Sequence, residues 1–248
     1  FPSDSMLVAY LYAALFLDLG RIGFRSNVIV HAAFGVATVW MEFISGGAPL
    51  SVCLILYLFA SQAAGGPHND APRSAMIALG AFSSAFLTAF AFKMIVTAAI
   101  FGPETWSNFS GALEQRMAIP TTTRVEADQA TPFNIWPSLA WFAHNAGAGW
   151  RDLGRLLIFV SFAVVCLAAY RVARKKIVAQ RRTAAVMLVL AFLAIVMWHL
   201  AFYPHSFRHA HFMVRTFVGF YFPAAMLFIL LNRDALSRLA LQISDATA

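Results

Sequence analysis

Four of the seven histidines of this chain, with Arg208 and Arg215, fall in one short break between apolar stretches, WHLAFYPHSFRHAHFMVR from Trp198 to Arg215. His199, His205, His209 and His211 follow one another at spacings of six, four and two residues. In a helix, His205 and His209 would share a face and could chelate a metal. A metal centre is short of carboxylate here: non-haem iron wants Asp or Glu beside histidine, so no metal ligand is assigned, and a metal-binding protein built on the His199–His211 cluster stays a second alternative. Arg208 and Arg215 turn the run toward anion binding, because a guanidinium forms bidentate, charge-assisted hydrogen bonds to phosphate and keeps its charge where a histidine loses it. The competing structural reading is an interfacial turn with a snorkelling Arg215.

Other ionisable residues lie in or near apolar stretches, where they are costly and therefore candidates for function. Glu42 follows a long apolar run and precedes the Gly46–Pro49 turn, and Lys93 is about two-thirds along the run Ala75–Phe101. Mutual neutralisation of Glu42 and Lys93 is the structural alternative. Asp4 is the only acid near the start of the chain on the same expected side, Asp18 reads as a local partner of Arg21, and His31 falls toward the opposite half and is left out of the site.

These residues need a scaffold, and composition names it. Hydrophobic residues make up 60% of the 248 residues and charged ones 12%, with a mean hydropathy of +0.71; a soluble domain carries about twice that share of charge. Eleven acids and eighteen bases cannot cover the surface of a soluble domain of this length, so the expected fold is an all-α polytopic transmembrane bundle. The net charge of +7 does not argue for nucleic acid, since the bases cluster at the ends of apolar segments instead of forming a stripe. Cys53 and Cys166 lie within apolar runs and read as buried thiols.

A hydrocarbon core of about 30 Å takes roughly 20 helical residues. Seven segments approach that length: Met6–Leu19, Asn27–Ser45, Leu50–Ala64, Ala75–Phe101, Leu156–Tyr170, Thr183–Tyr203 and Val214–Leu231. The run Arg171, Arg174, Lys175, Lys176, Arg181, Arg182 is the strongest cytoplasmic signal. Threading from it puts Arg21, Arg25, Arg73, Arg233 and Arg238 on the same side, with the N-terminus outside and the C-terminus in the cytoplasm. The long stretch Gly102–Asp152 then reads as an extracytoplasmic loop, with an interfacial aromatic segment around Asn134–Asn145. Phe1 stands where Met would open a chain, which reads as a processed or partial product lacking N-terminal helices. The alanine-rich composition points to the inner membrane of a bacterium.

Two stretches carry a family resemblance. GVATVWMEFISGGAPLSVCLILYLF and WHLAFYPHSFRHAHFMVRTFVGFYFPAAML resemble polytopic glycosyltransferases of the GT-C type over about a fifth of the chain. Glu42 matches the acidic position of the first stretch; His205, Ser206, His211 and Arg215 match the late His-Ser, His and Arg pattern. The resemblance implies transfer of a sugar from a polyprenyl-phosphate donor at the extracytoplasmic face. The expected assignment is Glu42 or Asp4 in acid/base catalysis, with His205, Ser206, Arg208, His211, Arg215 and Lys93 binding substrate. The family's usual acidic base in an early outer loop has no clear equivalent, so the alternative is a non-catalytic subunit of a larger membrane complex, its partners being lipids and other membrane subunits.

Overall fold

A computed structural model describes residues 9–10, 23–41, 47–65, 70–116, 151–174, 177, 179–202 and 218–247. Among the described residues there are seven helices and no strand: α1 Phe24–Met41, α2 Gly47–Gly65, α3 Ala71–Phe101, α4 Glu104–Arg116, α5 Arg151–Ala173, α6 Ala179–Ala201 and α7 Val218–Thr247. Four of them are long and apolar enough to cross a bilayer, over Gly47–Ala64, Ala71–Phe101, Leu156–Ala173 and Arg181–Ala201. The chain is an integral membrane protein of helical type.

The local sequence explains where these helices stop. Asp70 precedes the first residue of α3 and Pro72 occupies its opening turn, where the missing amide hydrogen costs nothing. At the far end Gly102 takes φ 94°, a conformation that residues with a Cβ avoid, and its N–H donates to the Ala98 carbonyl at 2.9 Å. Pro103 and Glu104 then open α4, whose Phe109 returns to within 5.3 Å of the Phe90 ring. At 31 residues, α3 is about 46 Å long, longer than a hydrocarbon core of about 30 Å.

Packing pairs α1 with α3 and α2 with α6, while α7 lies against α5 and α6. Half of the α2 window and 44% of the α6 window is buried, against 22% for α3 and α5. The α2–α6 seam is therefore the centre. Phe59, Ile55, Phe192, Ile195 and Leu227 fill it, with Ala60, Ala63, Ala184, Ala185 and Ala191 between them. Small residues let helix backbones approach closely where lipid tails offer no hydrophobic drive for association. The outer faces carry Ile29, Trp40, Leu87, Phe92, Ile95, Phe159 and Met197 in the open, as a lipid-facing surface should.

The contacts also fix which helix ends lie together. Asn27 Nδ2 donates to the Ser74 carbonyl at 3.2 Å, so α1 and α3 start at one end. The Thr38 and Ser51 hydroxyls, 3.3 Å apart, join the finish of α1 to the start of α2 at the other. Arg233 donates to the Ala64 carbonyl at 3.3 Å, and Arg181 grips Asp234 at 2.8 and 3.0 Å. The finish of α2, the start of α6 and the middle of α7 thus share the first end. Arg25, Arg73, Arg181, Arg182 and Arg233 all belong to that arginine end, together with Arg171 and Arg174 at the finish of α5.

Several sequence expectations change. The polar helix α4 lies inside the stretch read as a loop, and α5 begins at Arg151 instead of Leu156; a search for lipid-compatible runs passes over amphipathic and polar turns. For the same reason α7 continues to Thr247, well beyond Leu231. Cys53 is buried as expected, but Cys166 is exposed on α5, because an apolar run in a membrane protein faces lipid as often as core. Of Met6–Leu19 only Ala9 and Tyr10 are described, both helical. The Asn134–Asn145 segment lies outside the described residues.

Gly35 makes the α1–α3 contact possible. A Cβ there would collide with the Phe82 carbonyl oxygen and sit 3.1 Å from the Phe86 amide nitrogen, whereas one on Gly80 would meet nothing within 4 Å. Gly35→Ala should therefore cost about 1–3 kcal/mol through forced separation of two backbones. Gly80→Ala should be neutral or slightly stabilising. Thermal unfolding of both variants in mild detergent checks the contrast.

Candidate functional site

Of the expected site residues only Lys93 is among those described; Asp4, Glu42, His205, Ser206, Arg208, His211 and Arg215 lie outside them, as does His209. Lys93 and His199 both belong to the end of the bundle opposite the arginine end. Lys93 is on the last third of α3, beside the finish of α1, and His199 is in the last turn of α6.

Lys93 has defined surroundings. Its Nζ donates to the Val39 carbonyl at 3.5 Å and lies 5.6 Å from the centre of the Trp40 ring. Val39 is two residues from the end of α1, so its carbonyl is one of the last four that an α-helix leaves without an internal partner. The ammonium thus meets the negative end of the α1 dipole and the face of an indole at once. An ammonium has three donors, so these contacts do not exhaust its capacity for an anion.

His199 is 3% exposed in the last turn of α6. The ring of its neighbour Trp198 lies tilted against Phe202 with ring centres 4.1 Å apart, and the buried Trp198 Nε1 finds no acceptor among the described residues. Close to this end the Thr38 hydroxyl donates to the Phe34 carbonyl at 2.8 Å. Among the described residues no three His, Cys, Asp or Glu side chains are grouped to hold a metal. The remaining histidines of the cluster fall outside the residues that this concerns.

A second polar group, set aside in the sequence reading, lies in the half of α1 nearer the arginine end. His31 is fully buried. Its Nδ1–H donates to the Asn27 carbonyl at 2.8 Å, which can only accept, so in the neutral ring Nε2 is left to accept from the Tyr10 hydroxyl at 2.8 Å. Tyr10 stacks on Phe34 at 3.8 Å, and Phe34 meets Phe82. Both ring nitrogens are occupied, which makes His31 a tie between helices. Its signal in the sequence is the spacing Asn27, His31, Phe34, Thr38, one helical face on which three of four residues are polar.

If Lys93 caps α1, Lys93→Met, which keeps most of the volume, should lower stability by about 1 kcal/mol or less, and Lys93→Arg should largely restore it. Thermal midpoints of the two variants test this. Comparisons with family models, curated proteins and solved structures find no match to this chain.

Proposed function

We propose that this integral membrane protein is a glycosyltransferase-like enzyme of the GT-C kind, holding a lipid-linked phosphate at the extracytoplasmic face of a bacterial inner membrane. The observation that carries the reading is the division of charge between the two ends of the bundle. Seven described arginines share one end, while the start of α5 carries Arg151 and Arg155 at the other, the end to which Lys93 and His199 belong. By the positive-inside rule the arginine end is cytoplasmic. The opposite end then faces the side on which polyprenyl-phosphate sugars are consumed by enzymes of this kind.

The run that joins α6 to α7 begins a few residues after His199 and contains His205, Ser206, Arg208, His211 and Arg215. In this proposal Arg208 and Arg215 hold the phosphate by paired N–H donors, and the histidines and Ser206 complete its hydrogen bonds. Lys93 adds positive charge from α3. Glu42 directly follows the last residue of α1, the helix end that Lys93 caps, and Glu42 or Asp4 supplies the acid/base group. A phosphate on a lipid anchor makes chemical sense of such a site, because the tail stays in the bilayer while the charged head meets fixed cations at its edge.

Arg215→Ala should abolish sugar transfer from a polyprenyl-phosphate donor while the protein inserts and purifies as before. Full activity in that variant sinks the proposal. Purification of the parent protein in mild detergent adds a second readout: bound polyprenyl phosphate on an isolated chain supports the enzyme, and a stoichiometric membrane partner without lipid phosphate supports a subunit role instead.

A further inference from the structure

At the arginine end a groove opens between α2, α3 and α6, with a volume of about 540 Å³. That is within the roughly 300–1,000 Å³ usual for small-ligand sites. Its walls are apolar, formed by Leu56, Ala75, Leu79, Met187 and Leu190 among others, and Arg182 and Thr183 stand at one extremity. From Arg182 to Leu190 the groove follows α6 for eight residues, about 12 Å, close to the thickness of one leaflet's hydrocarbon, about 15 Å. Its outer lip is lipid-facing: Met76 is 68% and Leu190 48% exposed.

The charges at this end are not equivalent. Arg181 is committed to Asp234 through two hydrogen bonds. Arg233 lines a smaller groove of about 260 Å³ on the other side of α2 and is committed to the Ala64 carbonyl. Arg182 is half-buried at the mouth of the larger groove, and no carboxylate among the described residues pairs with it. A cation half-removed from water at the top of an apolar slot one leaflet deep is complementary to an anion carried on an acyl chain.

We propose that this groove binds one anionic glycerophospholipid of the leaflet at the arginine end, its phosphate on Arg182 and one acyl chain between α3 and α6. The site is separate from the sugar-donor site proposed above, at the opposite end of the bundle, and does not depend on it. The lipid fills a gap that the helices leave between α3 and α6 and couples α3 to the centre of the bundle.

The test uses the full chain in neutral detergent with phosphatidylglycerol or phosphatidylcholine of identical acyl chains, and native mass spectrometry to read bound lipid. Phosphatidylglycerol should be retained about fivefold over phosphatidylcholine, the preference expected for one arginine near the membrane surface. Arg182→Gln should remove that preference, Arg182→Lys should keep most of it, and Arg25→Gln, at the same end but outside the groove, should leave it unchanged. Val186→Trp, which fills the groove from its exposed side, should reduce retention of both lipids. Glycerol phosphate without acyl chains should not compete. Equal retention of the two lipids by the parent chain, a preference that survives Arg182→Gln, or undiminished retention in Val186→Trp would overturn the proposal.

Discussion

The fold depends on one constraint: in hydrocarbon, a polar group that finds no partner within the protein finds none at all. The main chain meets it by helix formation, and the side chains meet it mostly by borrowing from the main chain. Thr38 donates to the Phe34 carbonyl, Thr97 to Lys93 and Ser161 to Leu157, each across one helical turn at 2.7–2.8 Å. Asn27 and Lys93 do the same between helices, to Ser74 and Val39. These two bonds join the same pair, α1 and α3, near their opposite ends. The polar residues of the apolar stretches are thus part of what holds the bundle in register.

Once α1 and α3 are tied in parallel, the rest of the arrangement is constrained by short connections. Helix α2 returns along the bundle between them in sequence but packs on α6, placing the dense, small-residue seam at the centre and leaving α3 and α5 with broad lipid-facing sides. Most of the described arginines collect at one end because the starts of α1, α3 and α6, the finish of α5 and the middle of α7 carry them on that side. The separation of cationic ends from apolar waist is a consequence of sequence. The groove beside Arg182 is a consequence of packing, because α3 pairs with α1 and leaves a gap toward α6.

Much of the scaffold was legible in the sequence, since apolar length alone locates five of the helices to within a few residues. What it could not show follows from physics that apolar length does not register. Helix α4 and the last third of α7 are polar and owe nothing to lipid. Cys166 faces outward because, in this solvent, an apolar neighbourhood says nothing about burial. Sidedness alone excludes His31 from the site, yet the spacing of Asn27 and His31 by one turn marks a polar face that needs partners on other helices. The sequence marks Lys93 as an intramembrane charge, but its engagement with the α1 terminus depends on the three-dimensional pairing of residues 54 apart. For the histidine-rich run, the chain supplies residue types and the ends of the two flanking helices.

The paired hydrogen bonds between Arg181 and Asp234 add little energy, since Asp234 is largely exposed and water screens the attraction. Their geometry has a different value. Helix α7 contains Pro223, turns polar at Asn232 and is not one of the four clear spans, so matching its apolar length to the bilayer would fix its vertical position only loosely. Two bonds from a planar guanidinium, 53 residues away in sequence, mark the register that packing against α5 and α6 gives α7: they tie its depth to that of α6, itself a well-defined span. A membrane of different thickness would then displace α6 and α7 as a unit, and the step between their ends would be conserved.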